Sequence, residues 1–120
     1  MRVLIVDDEE DVANFLGRLI ERLGHTTQVV HDGMAALEAV RAGGFQLMIS
    51  DIRMPGMDGV QLYDAIVGQK LGAGLSLVFT TGDAINPSTQ EFFARTQVRC
   101  LDKPFTADQV RELLQSIPVA

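Results

Sequence analysis

The sequence predicts an α/β fold: a doubly wound (βα)5 sandwich on a five-stranded parallel sheet. Three observations carry that expectation. Short runs rich in β-branched residues alternate five times with segments whose apolar residues recur at helical spacing. The clearest of these runs are too uniformly apolar for a half-solvated sheet, so they read as strands buried on both faces. At 120 residues with 47% hydrophobic content, the chain suits one domain over residues 1–120 with a core of its own. Strands alternating with helices then place helices on both sides of a parallel sheet.

Val3-Leu4-Ile5-Val6 is the first strand. Val12, Phe15, Leu16, Leu19, Ile20 and Leu23 then recur at helical spacing. Glu9, Glu10 and Asp11 suit the positive end of that helix, and Gly24 closes it. Thr26 to Val30 is the second strand. Asp32 caps a short helix carrying Ala36, Leu37 and Val40, which ends at Gly43-Gly44. The third strand is Leu47-Met48-Ile49-Ser50, and the loop Met54-Pro55-Gly56-Met57-Asp58-Gly59 leads to a helix over Val60 to about Val67. Gly72-Ala73-Gly74 breaks that helix before a fourth strand, Leu75 to Thr80. Asn86 is a cap followed by Pro87 at the first helical position, so Ser88 to Arg95 is helical. A weaker strand, Val98 to Leu101, precedes Lys103-Pro104. Thr106 and Gln109 form a capping box, and Val110, Leu113, Leu114 and Ile117 are the apolar stripe of the last helix, which Pro118 ends.

Charge and composition exclude several function classes. A net charge of −6 disfavours a direct nucleic-acid partner, because phosphate backbones demand a basic face. Cys100 is the sole cysteine, which leaves no internal disulfide and no zinc-ligand pair. No apolar stretch approaches the roughly 20 residues that cross a bilayer. The acidic start, Asp7 to Asp11, is unlike a signal peptide. A cytoplasmic protein is the expectation.

The chemistry sits at the strand ends. Asp7-Asp8 end the first apolar run, Asp51 ends the third, and Lys103 follows the last. In open α/β sheets ligands bind beyond the carboxyl ends of the strands, where strand order reverses. If the first and third strands are neighbours, Asp7, Asp8 and Asp51 converge there and Lys103 reaches in. Packed carboxylates repel, so one of them tends to hold a proton unless a cation lies among them. Carboxylate oxygens suit Mg²⁺, which takes one or two protein carboxylates together with phosphate oxygens and water. A carboxylate is also a nucleophile able to form an acyl phosphate, and Asp51 is the best placed for it. Taken singly, Asp7 or Asp8 reads as a helix cap and Lys103 as a solvated lysine. Asp32 and Asp58 read as cap and turn residues. His25 and His31 are expected to face solvent, and Phe92-Phe93 and the methionines to serve packing. The joint arrangement carries the weight.

Val6-Asp7-Asp8-Glu9, Asp51 with Met54-Pro55-Gly56-Met57-Asp58-Gly59, Thr81-Gly82, and Lys103-Pro104-Phe105 together resemble the receiver domain of two-component response regulators. The resemblance spans the whole chain. It implies the flavodoxin-like strand order 2-1-3-4-5 and a phosphoacceptor module rather than a turnover enzyme. It further implies that Asp51 takes a phosphoryl group from phosphohistidine, the partner being a histidine kinase or histidine phosphotransfer domain. Asp7, Asp8, Asp51 and the Arg53 backbone carbonyl are the implied Mg²⁺ ligands. Thr81 is the implied switch hydroxyl, Lys103 the phosphoryl ion-pair partner, and Lys103-Pro104 a cis peptide. Thr80 rivals Thr81 on residue type alone, and the family spacing selects Thr81. Arg53 and Asp83 stand where side chains tune phosphoryl lifetime.

One position departs from the family. The switch aromatic is expected three residues before the lysine, and Cys100 stands there. Without a ring to swing, the domain is expected to stay largely monomeric when activated, although a phosphorylation-dependent dimer is the family alternative. Two rivals share the topology. A metal-dependent phosphatase with an aspartyl nucleophile would want a second acid at position 53, which is Arg53. A flavodoxin-like cofactor carrier would want a phosphate loop after the first strand, where Asp7-Asp8-Glu9-Glu10 would repel phosphate. The segments around Thr81 and Lys103 are similar to receivers of hybrid sensor histidine kinases, so either a stand-alone receiver or part of such a kinase is expected.

Overall fold

The computed structural model describes residues 1–118. Five strands alternate with five helices among them: β1 (Arg2–Val6), α1 (Glu10–Arg22), β2 (Thr26–Val30), α2 (Gly33–Ala42), β3 (Leu47–Asp51), α3 (Gly59–Gly68), β4 (Ser76–Thr81), α4 (Pro87–Thr96), β5 (Arg99–Asp102) and α5 (Ala107–Ser116). The strands form one parallel sheet in the order β2-β1-β3-β4-β5. The strand-order reversal therefore falls between β1 and β3, as anticipated.

Successive strand residues point to opposite faces, and the two faces make two cores. Val3, Ile5, Leu47, Ile49 and Val78 meet Leu16 and Ile20 of α1 and Val110, Leu113 and Leu114 of α5. Leu4, Val6, Met48 and Phe79 meet Leu37 of α2, Leu62 and Ile66 of α3, and Phe92 of α4. Each such fully buried side chain contributes about 1.5–3 kcal/mol.

Side-chain caps start four of the helices, three of them at caps the sequence indicated. Asp32 accepts from Ala35 N, and Asn86 accepts from Ser88 N ahead of Pro87. Asp58 with Gln61 and Thr106 with Gln109 form reciprocal capping boxes. At Gly59 a Cβ would lie 2.6 Å from the Asp51 carbonyl oxygen and 2.8 Å from Ile52 Cα. Only glycine lets the start of α3 sit against the end of β3.

Several details differ from expectation. β3 runs one residue further, to Asp51, and β4 is shifted by one to Ser76–Thr81, because pairing with the neighbouring strand continues there. β5 begins at Arg99 rather than Val98, since Gln97 takes a left-handed conformation that ends α4 and Val98 leads out of it. Phe15 lies 51% exposed and stacks on Phe105 at 6.4 Å instead of entering the core. His25 is half-buried rather than solvent-facing, with Nδ1 3.0 Å from the Met1 amine.

Candidate functional site

The carboxyl ends of β1 and β3 lie side by side; Asp7 follows β1 and Asp51 ends β3. Asp7 is 3% exposed and Asp51 6%, while Asp8 faces solvent. Carboxylate oxygens of the three residues lie within 4.8 Å of one another. Asp7 is fixed from two sides. Its Oδ1 accepts from Glu9 N at 2.9 Å, and His31 Nδ1 donates to its carbonyl oxygen at 3.0 Å.

Lys103 reaches in from the end of β5, with its side chain only 15% exposed. Its Nζ lies 2.9 Å from Asp7 Oδ2, 3.2 Å from Asp51 Oδ2 and 3.5 Å from Glu9 Oε1. Burial alone would lower the Lys103 pKa, but the hydrogen bond to Asp7 and the charges of Asp51 and Asp7 outweigh it and hold the ammonium above its ordinary value. Asp51 moves up as well. Burial raises its pKa most and Asp7 adds to that, against the opposing pull of Lys103. Three carboxylates thus share one ammonium, and the surplus of buried negative charge together with an all-oxygen donor set suits a hard divalent cation.

Thr81 and Thr80 separate clearly. Thr81 lines a cleft of about 300 Å³ together with Asp8, Glu9, Asp51, Arg53, Asp83 and Lys103. Its Oγ1 accepts from Asp83 N at 3.1 Å. Thr80 is absent from that lining, and its buried Oγ1 has no hydrogen-bond partner among the described residues. The Lys103-Pro104 peptide is cis. Cys100 is exposed on β5, its thiol 3.6 Å from an Asp102 carboxylate oxygen. Partial burial and that carboxylate push the thiol pKa up to about 11, so it stays neutral at physiological pH. Across the cleft mouth, Arg53 and Asp83 form an ion pair at 2.9 Å.

The site therefore gathers every acid, hydroxyl and amine singled out in the sequence. Three participants were missed. Glu9 was given no contact at the site, although the run Asp7-Asp8-Glu9 places it beside the same cleft. His31 is exposed as expected, but nothing in its neighbourhood in sequence signals the bond to the Asp7 carbonyl. The pairing of Arg53 with Asp83 joins residues 30 positions apart.

The chain was compared with known proteins. Residues 3–115 match the model of the response regulator receiver domain family. The sensor histidine kinase RcsC of Salmonella typhi is 31% identical over 95% of this chain, which spans only 12% of that kinase. The chemotaxis protein CheY of Pseudomonas aeruginosa is 30% identical, with 98% of this chain and 95% of that protein covered. The response regulator TrrA of Thermotoga maritima, solved in complex with Mg²⁺-BeF, superposes with a TM-score of 0.82 at 25% identity, covering 98% of both chains. No helix among the described residues is long and apolar enough to cross a membrane. A parallel sheet in the order 2-1-3-4-5, an acidic cluster at its carboxyl edge and a family match over nearly the whole length make this chain a member of the response regulator receiver domain family of two-component systems.

Proposed function

We propose that Asp51 is the phosphoacceptor, taking a phosphoryl group from a phosphohistidine on a histidine kinase or histidine phosphotransfer domain. The observation that carries this reading is the convergence of Asp51, Asp7 and Lys103 in one buried corner of the cleft. Asp7 has one oxygen committed to Glu9 N and the other to Lys103, whereas Asp8 is solvent-facing. Asp51 combines burial, a strand-end position and an adjoining ammonium with a carboxylate less committed to neighbouring groups than that of Asp7. An Asp51 oxygen forms the new bond to phosphorus as the bond from phosphorus to the histidine nitrogen breaks. Lys103 then pairs with the phosphoryl oxygens, and the Thr81 hydroxyl hydrogen-bonds to one of them. Positioning and charge neutralisation are most of what such a transfer requires.

Asp7, Asp8, Asp51 and the Arg53 backbone carbonyl would hold Mg²⁺, whose chemistry there is to neutralise charge on the transferring oxygens. The Mg²⁺-BeF complex of the T. maritima relative supports that choice of ion. The domain, residues 1–120, acts as an acceptor that assists its own modification, in a cytoplasmic setting. Its partner docks beside the cleft, against an apolar groove of about 480 Å³ lined by Val12, Phe15, Pro104 and Phe105 and bordered by Lys103. Intact mass after incubation with acetyl phosphate tests the reading. One phosphoryl group should be gained with Mg²⁺ present, little without it, and little in the Asp7→Asn/Asp8→Asn variant. Equal modification with and without Mg²⁺ would refute it.

A further inference from the structure

We propose that Arg53 is a further phosphoryl-binding side chain, held by Asp83 in the unmodified domain and transferred to the phosphoryl oxygens when Asp51 is modified. The proposal rests on Asp51 being the phosphoacceptor. Its starting point is a shortage of positive charge. Lys103 is already shared among Asp7, Asp51 and Glu9. Phosphorylation turns the single negative charge of Asp51 into close to two and brings three acceptor oxygens into that corner. Among the described residues lining the cleft, Arg53 is the one other cation.

The geometry makes exchange easy. Arg53 leaves β3 two residues past Asp51, and its guanidinium meets Asp83 Oδ2 at 2.9 Å across the cleft mouth. Both side chains are substantially exposed, 67% for Arg53 and 40% for Asp83, so the pair is screened and weakly held. A guanidinium presents its N–H groups as a fork that matches phosphoryl oxygens, and those bonds are charge-assisted on both sides. The stronger anion therefore wins the guanidinium. Asp83 is not stranded by the loss, because Asn86 Nδ2 donates to the same Oδ2 at 3.4 Å. The bond from Asp83 N to Thr81 Oγ1 uses the Asp83 backbone N–H, not its carboxylate, and survives the exchange.

The reaction with acetyl phosphate is a displacement at phosphorus. An Asp51 oxygen forms the new P–O bond, the bond from phosphorus to the acetate oxygen breaks, the electron pair leaves on acetate, and nothing is oxidised or reduced. Initial rates, followed by intact mass in Mg²⁺, test the proposal on the wild type, Asp83→Asn, Arg53→Gln and the double variant. Asp83→Asn keeps the N–H that serves Thr81 and frees Arg53, so it should react about threefold to fivefold faster. Arg53→Gln should be slower by a similar factor, and the double variant should match Arg53→Gln. The Arg53 Nε–H resonance should also move when beryllofluoride and Mg²⁺ bind the wild type. An Asp83→Asn protein no faster than wild type, additive effects in the double variant, or a stationary Arg53 resonance would overturn the proposal while leaving Asp51 as acceptor. Absence of modification in all of these proteins, wild type included, would overturn it together with the assignment of Asp51.

Discussion

Thr80 and Thr81 are adjacent hydroxyls at one strand end, and their fates differ because β-strand side chains alternate faces. Thr81 lines the cleft, whereas Thr80 buries an Oγ1 that finds no partner among the described residues. An unpartnered buried hydroxyl costs stability that an isosteric methyl does not, so Thr80→Val should stabilise the domain by about 1 kcal/mol. Urea denaturation measures it, and destabilisation would mean that the hydroxyl is satisfied after all. Asp51 supports a second expectation. Its folded pKa is raised, first by burial. A raised carboxyl contributes stability that is present below the unfolded carboxylate value and lost as pH rises through the folded one. At neutral pH the ionised group thus opposes folding of the metal-free domain. Asp51→Asn should then be the more stable protein in EDTA, on the order of 1 kcal/mol, with the gap closing below about pH 4. Added Mg²⁺ should narrow or reverse the ranking, because it stabilises the intact carboxylate set. Melting curves in EDTA that rank the wild type above Asp51→Asn at pH 7 would refute this. At this scale the acids and Lys103 were legible because they stand at the ends of apolar runs. The choice between Thr80 and Thr81 was not, since burial on both faces hides the register and only the family spacing decided it. The Arg53–Asp83 pair was invisible because it depends on two loops meeting in space.

The helices were legible from their first residues. Asp32, Asn86 and Thr106 cap as their types and spacing imply, while Asp58, read as a turn residue, also caps, in a box with Gln61. Strand ends were less so, because a strand stops where its neighbour stops pairing, which the chain's own sequence does not record. β5 illustrates this: its start is set by the left-handed Gln97 and its end by Asp102 facing Thr81. The start of α3 links an element to the site. Asp58→Ala removes the cap and should lower stability by about 1 kcal/mol, with little effect on Mg²⁺ affinity. Gly59→Ala should cost more, about 1–3 kcal/mol, because its methyl group meets the Asp51 carbonyl oxygen at 2.6 Å and backbone cannot move aside as a side chain can. Chemical denaturation of the two variants compares them. A Gly59→Ala protein as stable as wild type would show that α3 is not pressed against β3.

For the whole molecule, the sheet order brings residues almost a hundred positions apart into one corner, since Lys103 and Asp7 are joined across 96 positions. Cys100, facing Phe79 across the β4–β5 pairing, is a small neutral thiol at the position where the resemblance leads one to expect a ring. It cannot carry movement of Thr81 to the surface by swinging between buried and exposed positions. Beryllofluoride with Mg²⁺ should therefore shift amide resonances strongly around Asp51, Thr81 and Lys103 but only modestly over residues 86–117, with the protein still monomeric in sedimentation. Large shifts across that face with dimerisation would contradict this view of Cys100. The central claim is that this corner is built to phosphorylate one carboxylate. Borohydride reduction of the acetyl phosphate-treated domain, followed by peptide mapping, tests it most directly, because reduction converts an aspartyl phosphate to homoserine at the position that carried it. The account predicts homoserine at position 51 and nowhere else; homoserine at position 7 or 8, or unmodified Asp51 in a phosphorylated protein, would contradict it.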